Sequence, residues 1–142
     1  MEIKAEEAVG QDALELFAEH DDFMQDFLGE DRHFYTRYGE WEKLQRIWLA
    51  REEDRPAGCA AYRKKDGETG EVKRVYVKKE YRGRGISKAL LGAVEDYARK
   101  DGCRKLYLDT RITLEPAVSL YRAFGFQIVF QQGLYIQMEK RL

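Results

Sequence analysis

Cysteine is scarce in this 142-residue chain: there are two, Cys59 and Cys103. They form no C-x-x-C pair, which leaves a zinc ribbon or a redox dithiol unsupported, and each reads as a small buried apolar residue. Histidine is as rare. His20 and His33 are expected as ordinary surface groups of N-terminal helices, and no metal site is expected. Neither sign of charge dominates. Against 26 Asp and Glu stand 25 Lys and Arg, a net charge of −1, so no global field draws nucleic acid or a membrane surface. No apolar run approaches the length of a membrane span. Met1-Glu2-Ile3-Lys4 does not open as a signal peptide, and a cytoplasmic location is expected by elimination. Repeats, linkers and low-complexity segments are also missing, so one domain over residues 1–142 is expected. What is present is 44% hydrophobic and 36% charged residues, the mix of a globular chain able to bury a core.

Periodicity divides the chain into short elements. A strand is expected near Glu2–Ala5. Leu14, Phe17, Phe23, Met24 and Phe27 fall at roughly helical spacing within Asp12–Phe27, and a second helix is expected over Asp31–Tyr38, ended by Gly39. Ile47–Arg51 and Gly58–Lys64 read as a hairpin turning at Asp54-Arg55-Pro56. After Asp66–Gly70 comes a third strand, Glu71–Val77, completing an antiparallel meander. Ile86, Leu90, Leu91, Val94, Tyr97 and Ala98 form one stripe of a long helix that Gly102 stops. Lys105–Asp109 is a strand. Pro116 opens a further helix and Gly125 closes it, with Ala117, Leu120, Tyr121 and Phe124 on one face. Phe126–Phe130 and Leu134–Glu139 end the chain as a hairpin. The strand–helix–strand unit from Glu71 to Asp109 is a right-handed parallel crossover. The expected class is α+β, with a mixed, mostly antiparallel sheet flanked by helices.

The most informative stretch is Tyr81-Arg82-Gly83-Arg84-Gly85-Ile86-Ser87-Lys88, between a strand and an amphipathic helix. Glycine allows positive φ and close backbone approach. The first N–H groups of a helix lack internal partners and carry positive potential, so phosphate binds there. A dinucleotide fingerprint fails, because Lys88 stands where a third Gly or Ala belongs. A P-loop fails at Ile86 and Ser87. What remains is R-x-x-G-x-[G/A], read on Arg82, Gly85 and Ser87.

That loop, preceded by Val72-Lys73-Arg74-Val75-Tyr76-Val77 and followed later by Ala117-Val118-Ser119-Leu120-Tyr121-Arg122-Ala123-Phe124-Gly125-Phe126, resembles the GNAT superfamily of acyl-CoA-dependent N-acetyltransferases. The resemblance is strongest from Glu71 to Phe126. It implies acetyl-CoA as co-substrate, with its pyrophosphate on the backbone of Arg82, Gly83, Arg84, Gly85, Ile86 and Ser87. The side chains of Arg82, Arg84 and Lys88 would add charge toward those phosphates. The pantetheine arm would lie along Val75, Tyr76 and Val77 like an added strand, between strands four and five that splay apart. A backbone N–H near Val75–Val77 would stabilise the oxyanion. Tyr121 would be the general acid that protonates the departing thiolate. Glu71, at the start of the motif strand, is the candidate general base, and a solvated strand-edge charge is its equal competitor. Ser87 departs from the pattern where Gly or Ala is usual, and Leu114 stands where many members carry an Asn that contacts the pantetheine arm.

The expected activity is therefore direct transfer of acetyl to a primary amine of a small molecule or peptide, in a ternary complex. A non-catalytic CoA-binding regulatory domain is the competing function, and Tyr121 argues against it. Lys73, Arg74, Lys78, Lys79, Arg82, Arg84 and Lys88, interleaved with Tyr76 and Tyr81, raise an RNA-binding platform as a third. The near-zero net charge and the lack of a nucleic-acid-binding signature disfavour it. Phe23, Phe27, Phe34, Tyr35, Tyr38 and Trp41 cluster where the acceptor wall usually forms. The C-terminal hairpin could pair across a homodimer.

Overall fold

The computed structural model describes residues 1–28 and 43–142. The helix expected at Asp31–Tyr38, together with His33, Phe34, Tyr35, Tyr38 and Trp41, lies outside the described residues. The elements follow as β1 (Glu2–Glu6), α1 (Gln11–Leu28), β2 (Arg46–Glu52), β3 (Arg55–Lys64), β4 (Thr69–Val77), a 3₁₀ turn (Lys79–Tyr81), α2 (Ile86–Lys100), β5 (Lys105–Arg111), α3 (Glu115–Ala123), β6 (Gln127–Gln132) and β7 (Tyr135–Arg141). They form a seven-stranded sheet in the order β1-β2-β3-β4-β5-β7-β6. Every pairing is antiparallel except β4 with β5, the parallel pair joined through α2.

One turn differs from expectation. The β2–β3 hairpin closes on Glu53 and Asp54, with φ of 48° and 66°, and Arg55 and Pro56 already belong to β3. Two successive positive-φ residues match the right-handed twist of the flanking strands, which a turn one residue later would not.

The sheet separates two apolar layers. On one face Trp48, Ala60, Tyr62, Val72, Leu106, Leu108, Ile136 and Met138 pack with Leu90, Leu91, Val94 and Ala98 of α2 and with Val118 and Tyr121 of α3. On the other, Ile47, Leu49, Cys59 and Ala61 meet Ala13, Leu16 and Phe17 of α1. The buried stripe of α1 is thus Ala13, Leu16, Phe17, His20 and Met24. The expected stripe was rotated from it: Leu14, Phe23 and Phe27 are exposed.

Both C-terminal locks were legible as glycines. Gly102 and Gly125 adopt φ of 85° and 107°. In each case the next amide reaches back to the final turn, Cys103 N to Ala98 O at 2.9 Å and Phe126 N to Tyr121 O at 2.9 Å, as a left-handed cap does.

The closed end of the β4–β5 pairing rests on one tight contact. A Cβ built on Gly70 would lie 2.4 Å from Cε1 of Tyr62. Tyr62 cannot retreat, because it is fully buried and its hydroxyl donates to Asp101 Oδ2 at 2.7 Å. Gly70→Ala is therefore expected to destabilise by about 1–3 kcal/mol, the usual cost of overpacking. A fall in the urea midpoint at unchanged slope checks it.

Candidate functional site

Parallel pairing of β4 with β5 covers only Thr69↔Lys105, Gly70↔Leu106 and Glu71↔Tyr107. Beyond Glu71 the strands part. The cause lies in β4, where Ala60 of β3 faces both Arg74 and Val75, between the pairs Ala61↔Lys73 and Cys59↔Tyr76. Arg74 is the bulged residue, at φ 57°. Such a bulge bends its strand and increases the local twist. It also lets Val72, Val75 and Val77 all reach the α2-side core, although strict alternation would turn both Val75 and Val77 away from the face of Val72.

Arg74 is an arginine in a glycine-like conformation, and its side chain shows what holds it. It is 3% exposed. Its Nη1 donates to Asp21 Oδ1 at 2.6 Å and its guanidinium lies 4.9 Å from the Phe17 ring centre. Its own carbonyl accepts a bond from the Cys59 thiol at 3.1 Å.

The parted strands open a cleft of about 590 Å³. Its floor is the backbone of Val72 to Val77. Tyr81, Arg82, Gly83, Gly85, Ile86, Ser87 and Lys88 form one end, and Leu114, Ala117, Leu120 and Tyr121 flank it from α3. Phe23, Met24 and Phe27 of α1 line the far side, which explains why Phe23 and Phe27 are exposed and stack on each other at 6.2 Å.

Gly83 and Gly85 have φ of 80° and 78°, and a Cβ at either would meet no atom within 4 Å. Backbone conformation, not packing, calls for glycine here, and the outer face of the loop is open. The first helical hydrogen bond of α2 runs from Ala89 N to Gly85 O at 3.1 Å, so the amides of Ile86, Ser87 and Lys88 have no acceptor within the helix. Its first turn carries no acid and its last carries Arg99 and Lys100, a charge order that leaves the positive end of the dipole for an external anion.

The predicted residues separate on inspection. Val75, Tyr76, Val77, Arg82, Gly83, Gly85, Ile86, Ser87, Lys88 and Tyr121 all line the cleft; Arg84 and Glu71 do not. The Arg84 guanidinium stacks 5.3 Å from the Tyr81 ring. Arg82 turns inward, its Nε donating to Val77 O at 2.9 Å, so it braces the loop. Glu71 is 5% exposed, and its carboxylate meets Arg63 Nε at 2.9 Å and Lys73 Nζ at 3.6 Å. The basic cluster is not one solvated face either. Arg74 pairs with Asp21, and Lys78 with Glu15 and Glu19, all from α1.

Tyr121 is 8% exposed and packs edge-on to Phe126, with ring centres 6.0 Å apart. Burial pushes its phenol up to about 12, so it keeps its proton at neutral pH. Leu114 sits at the N-cap of α3 with no side-chain cap bond, and Pro116 just inside the helix removes one amide that would need a partner.

His20 is the residue the sequence reading misplaced. It is 8% exposed, lines the cleft, and stacks on Tyr76 at 5.4 Å. The signal was its spacing of three and four residues from Leu16, Phe17 and Met24. Burial first, and the Arg74 charge second, hold its imidazole down to about 3. A folded pKa below the unfolded value near 6.5 means that the unfolded chain binds the extra proton. Stability from this group is whole above about pH 6.5 and falls toward pH 3, by up to about 1.4 kcal/mol per pH unit. Urea unfolding at pH 7 and pH 5 should show the loss, and His20→Gln should flatten it.

Comparison with known proteins follows the same lines. Residues 14–126 match the acetyltransferase (GNAT) family model. IAA acetyltransferase of Azospirillum brasilense is 34% identical over 125 residues, covering 86% of this chain and 82% of that protein. The uncharacterized N-acetyltransferase YsnE of Bacillus subtilis is 36% identical over 83 residues, or 57% of this chain and 55% of that protein; this chain thus spans about half of that relative. A candidate acyl-CoA N-acyltransferase of Klebsiella pneumoniae superposes with a TM-score of 0.80 at 27% identity, over 99% of this chain and 97% of that one. PaiA N-acetyltransferase of Thermoplasma acidophilum, solved with coenzyme A, shares the fold over 100% of both chains at a TM-score of 0.79 and 18% identity. The family match over residues 14–126 places this chain, with its parted β4 and β5 and its glycine loop, in the GNAT family of acetyltransferases.

Proposed function

We propose that this protein is an N-acetyltransferase that moves an acetyl group from acetyl-CoA to a primary amine of a small molecule or peptide, directly, within a ternary complex. The observation that carries the reading is a single cleft that joins three features: the amide-rich start of α2, the unpaired edge of β4, and the buried phenol of Tyr121.

The cleft fits the group. Open space over Gly83 and Gly85 and the unbonded amides of Ile86, Ser87 and Lys88 suit a pyrophosphate. From Val72 to Val77 the β5-facing backbone of β4 has no strand partner, which suits the amides of a pantetheine arm. Acetyl-CoA supplies an acyl group activated as a thioester. The chain's part is to hold it against β4, to keep water out with Phe23, Met24 and Leu120, and to keep a proton on Tyr121 for the departing sulfur. Much of the rate comes from positioning two substrates in one cleft.

Three experiments test this. Coenzyme A should raise the melting temperature more than NAD or ATP, because it binds only the native state. Gly85→Asp should abolish that shift and leave the fold intact. Aspartate tolerates positive φ better than most residues, while its charge against the phosphates costs several kcal/mol. Normal acetyl-CoA binding by this variant would put the phosphates elsewhere. Finally, an amine panel with thiol release as readout separates transfer from mere binding. On an accepted amine, Tyr121→Phe should lower kcat by ~10²–10⁴-fold with acetyl-CoA affinity held, and an acyl donor with a better leaving group should recover part of the loss. Unchanged kcat would remove Tyr121 from the chemistry.

A further inference from the structure

Among the described residues that line the cleft, Lys73, Arg74, Arg82 and Lys88 are cationic, and Asp109 is the single carboxylate. Asp109 lies on β5, two residues beyond Tyr107, where pairing to β4 ends. Strand alternation fixes its face. Leu106, Leu108, Ile136 and Met138 belong to the core under α2. Asp109 and its cross-strand partner Gln137 therefore look to the opposite side, the side of α1. Tyr121 is part of the α2-side core. The two groups enter the same gap from opposite faces of the sheet.

Asp109 is also held in place. The Tyr135 hydroxyl donates to its Oδ2 at 3.0 Å, and Gln137 Nε2 donates to the Tyr135 oxygen at 2.9 Å. That chain uses one carboxylate oxygen and leaves the other for a ligand. Glu71 shares the face but not the opportunity. It sits at the closed end, engaged by Arg63 and Lys73, outside the cleft lining.

We infer that Asp109, not Glu71, receives the ammonium group of the acceptor and takes its proton. The inference rests on the transferase reading above. The ammonium gives one proton to Asp109, which passes it to solvent. The neutral nitrogen forms the C–N bond as the C–S bond breaks. Tyr121 gives its proton to the sulfur and is reprotonated, while the new amide nitrogen sheds its second proton. Two protons leave nitrogen, one is gained by sulfur, and one is released. The titratable groups on Asp109's face are Lys105, Tyr107 and Arg111 on β5, Tyr135, Glu139 and Arg141 on β7, and Glu71 and Lys73 on β4, and His20 of α1 and Arg74 of β4 line the same cleft.

The test uses a primary amine that the wild-type protein acetylates. Asp109→Asn should lower kcat/KM for the amine by ~10²–10⁴-fold at pH 7, with acetyl-CoA affinity unchanged. The deficit should shrink as pH rises toward the pKa of the amine, because solvent then supplies the neutral form. Tyr135→Phe keeps the carboxylate but removes a bond to its charged form. The acidic limb of the pH profile should move to higher pH, which provides a second reading should Asp109→Asn fold poorly. Glu71→Gln should keep the wild-type profile. Wild-type kinetics in Asp109→Asn and an unmoved limb in Tyr135→Phe, or the predicted losses in Glu71→Gln instead, would overturn the assignment alone. A wild-type protein that binds coenzyme A and acetylates no amine would overturn the transferase reading and this assignment together.

Discussion

The cleft of this molecule depends on a hydrogen-bond ladder that stops. β4 and β5 lie at the centre of the sheet, where a strand's backbone groups are normally all paired, yet they bond over three residue pairs and then part. Polar backbone groups cannot be left dry without cost. The edge that results must face water or a ligand whose own amides repeat the strand pattern. The bulge at Arg74 separates the strands without disordering them. The arginine tolerates its left-handed backbone because a half-buried ion pair, a ring contact and a carbonyl bond all fix it. Strain of this kind persists only where the surroundings over-determine the residue.

Helix α1 is the second device. Its acids pair with Arg74 on β4 and with Lys78 just beyond it, while the first turn of α2 carries no acid to occupy its open amides. This division shows that the seven basic residues between Lys73 and Lys88 do not make one continuous solvated surface. Two of the seven, Arg74 and Lys78, seat α1, Lys73 pairs with Glu71, and Arg82 braces its own loop.

How much of this could be read from the sequence varies with the range of the interaction that decides each point. The glycine loop, the stops at Gly102 and Gly125 and the stripe of α2 are local matters, and they were legible. So was the place of Tyr121, through the motif around it. The bulge at Arg74 was not, because arginine carries no local preference for φ 57° and the reason for it lies 53 residues away at Asp21. His20 required choosing between two stripes on one amphipathic helix, and the aromatic residues that pointed the wrong way are those that line the cleft. Asp109 was invisible for a similar reason. A single carboxylate in a strand gains meaning only from the neighbour that fails to pair with it.

A sheet joined at its middle by three residue pairs has the layout of two rafts sharing one short seam. β1 to β4 form one raft and β5 to β7 the other, with α2 strapped across them. From the seam at Glu71 to Val77 is a lever of about 20 Å at the usual rise per strand residue. A rotation of about 5° at the seam would widen the far end by ~2 Å. Gly70 packs against the buried ring of Tyr62 at the seam end. The tightest packing of the strand pair thus lies at the opposite end from the mouth.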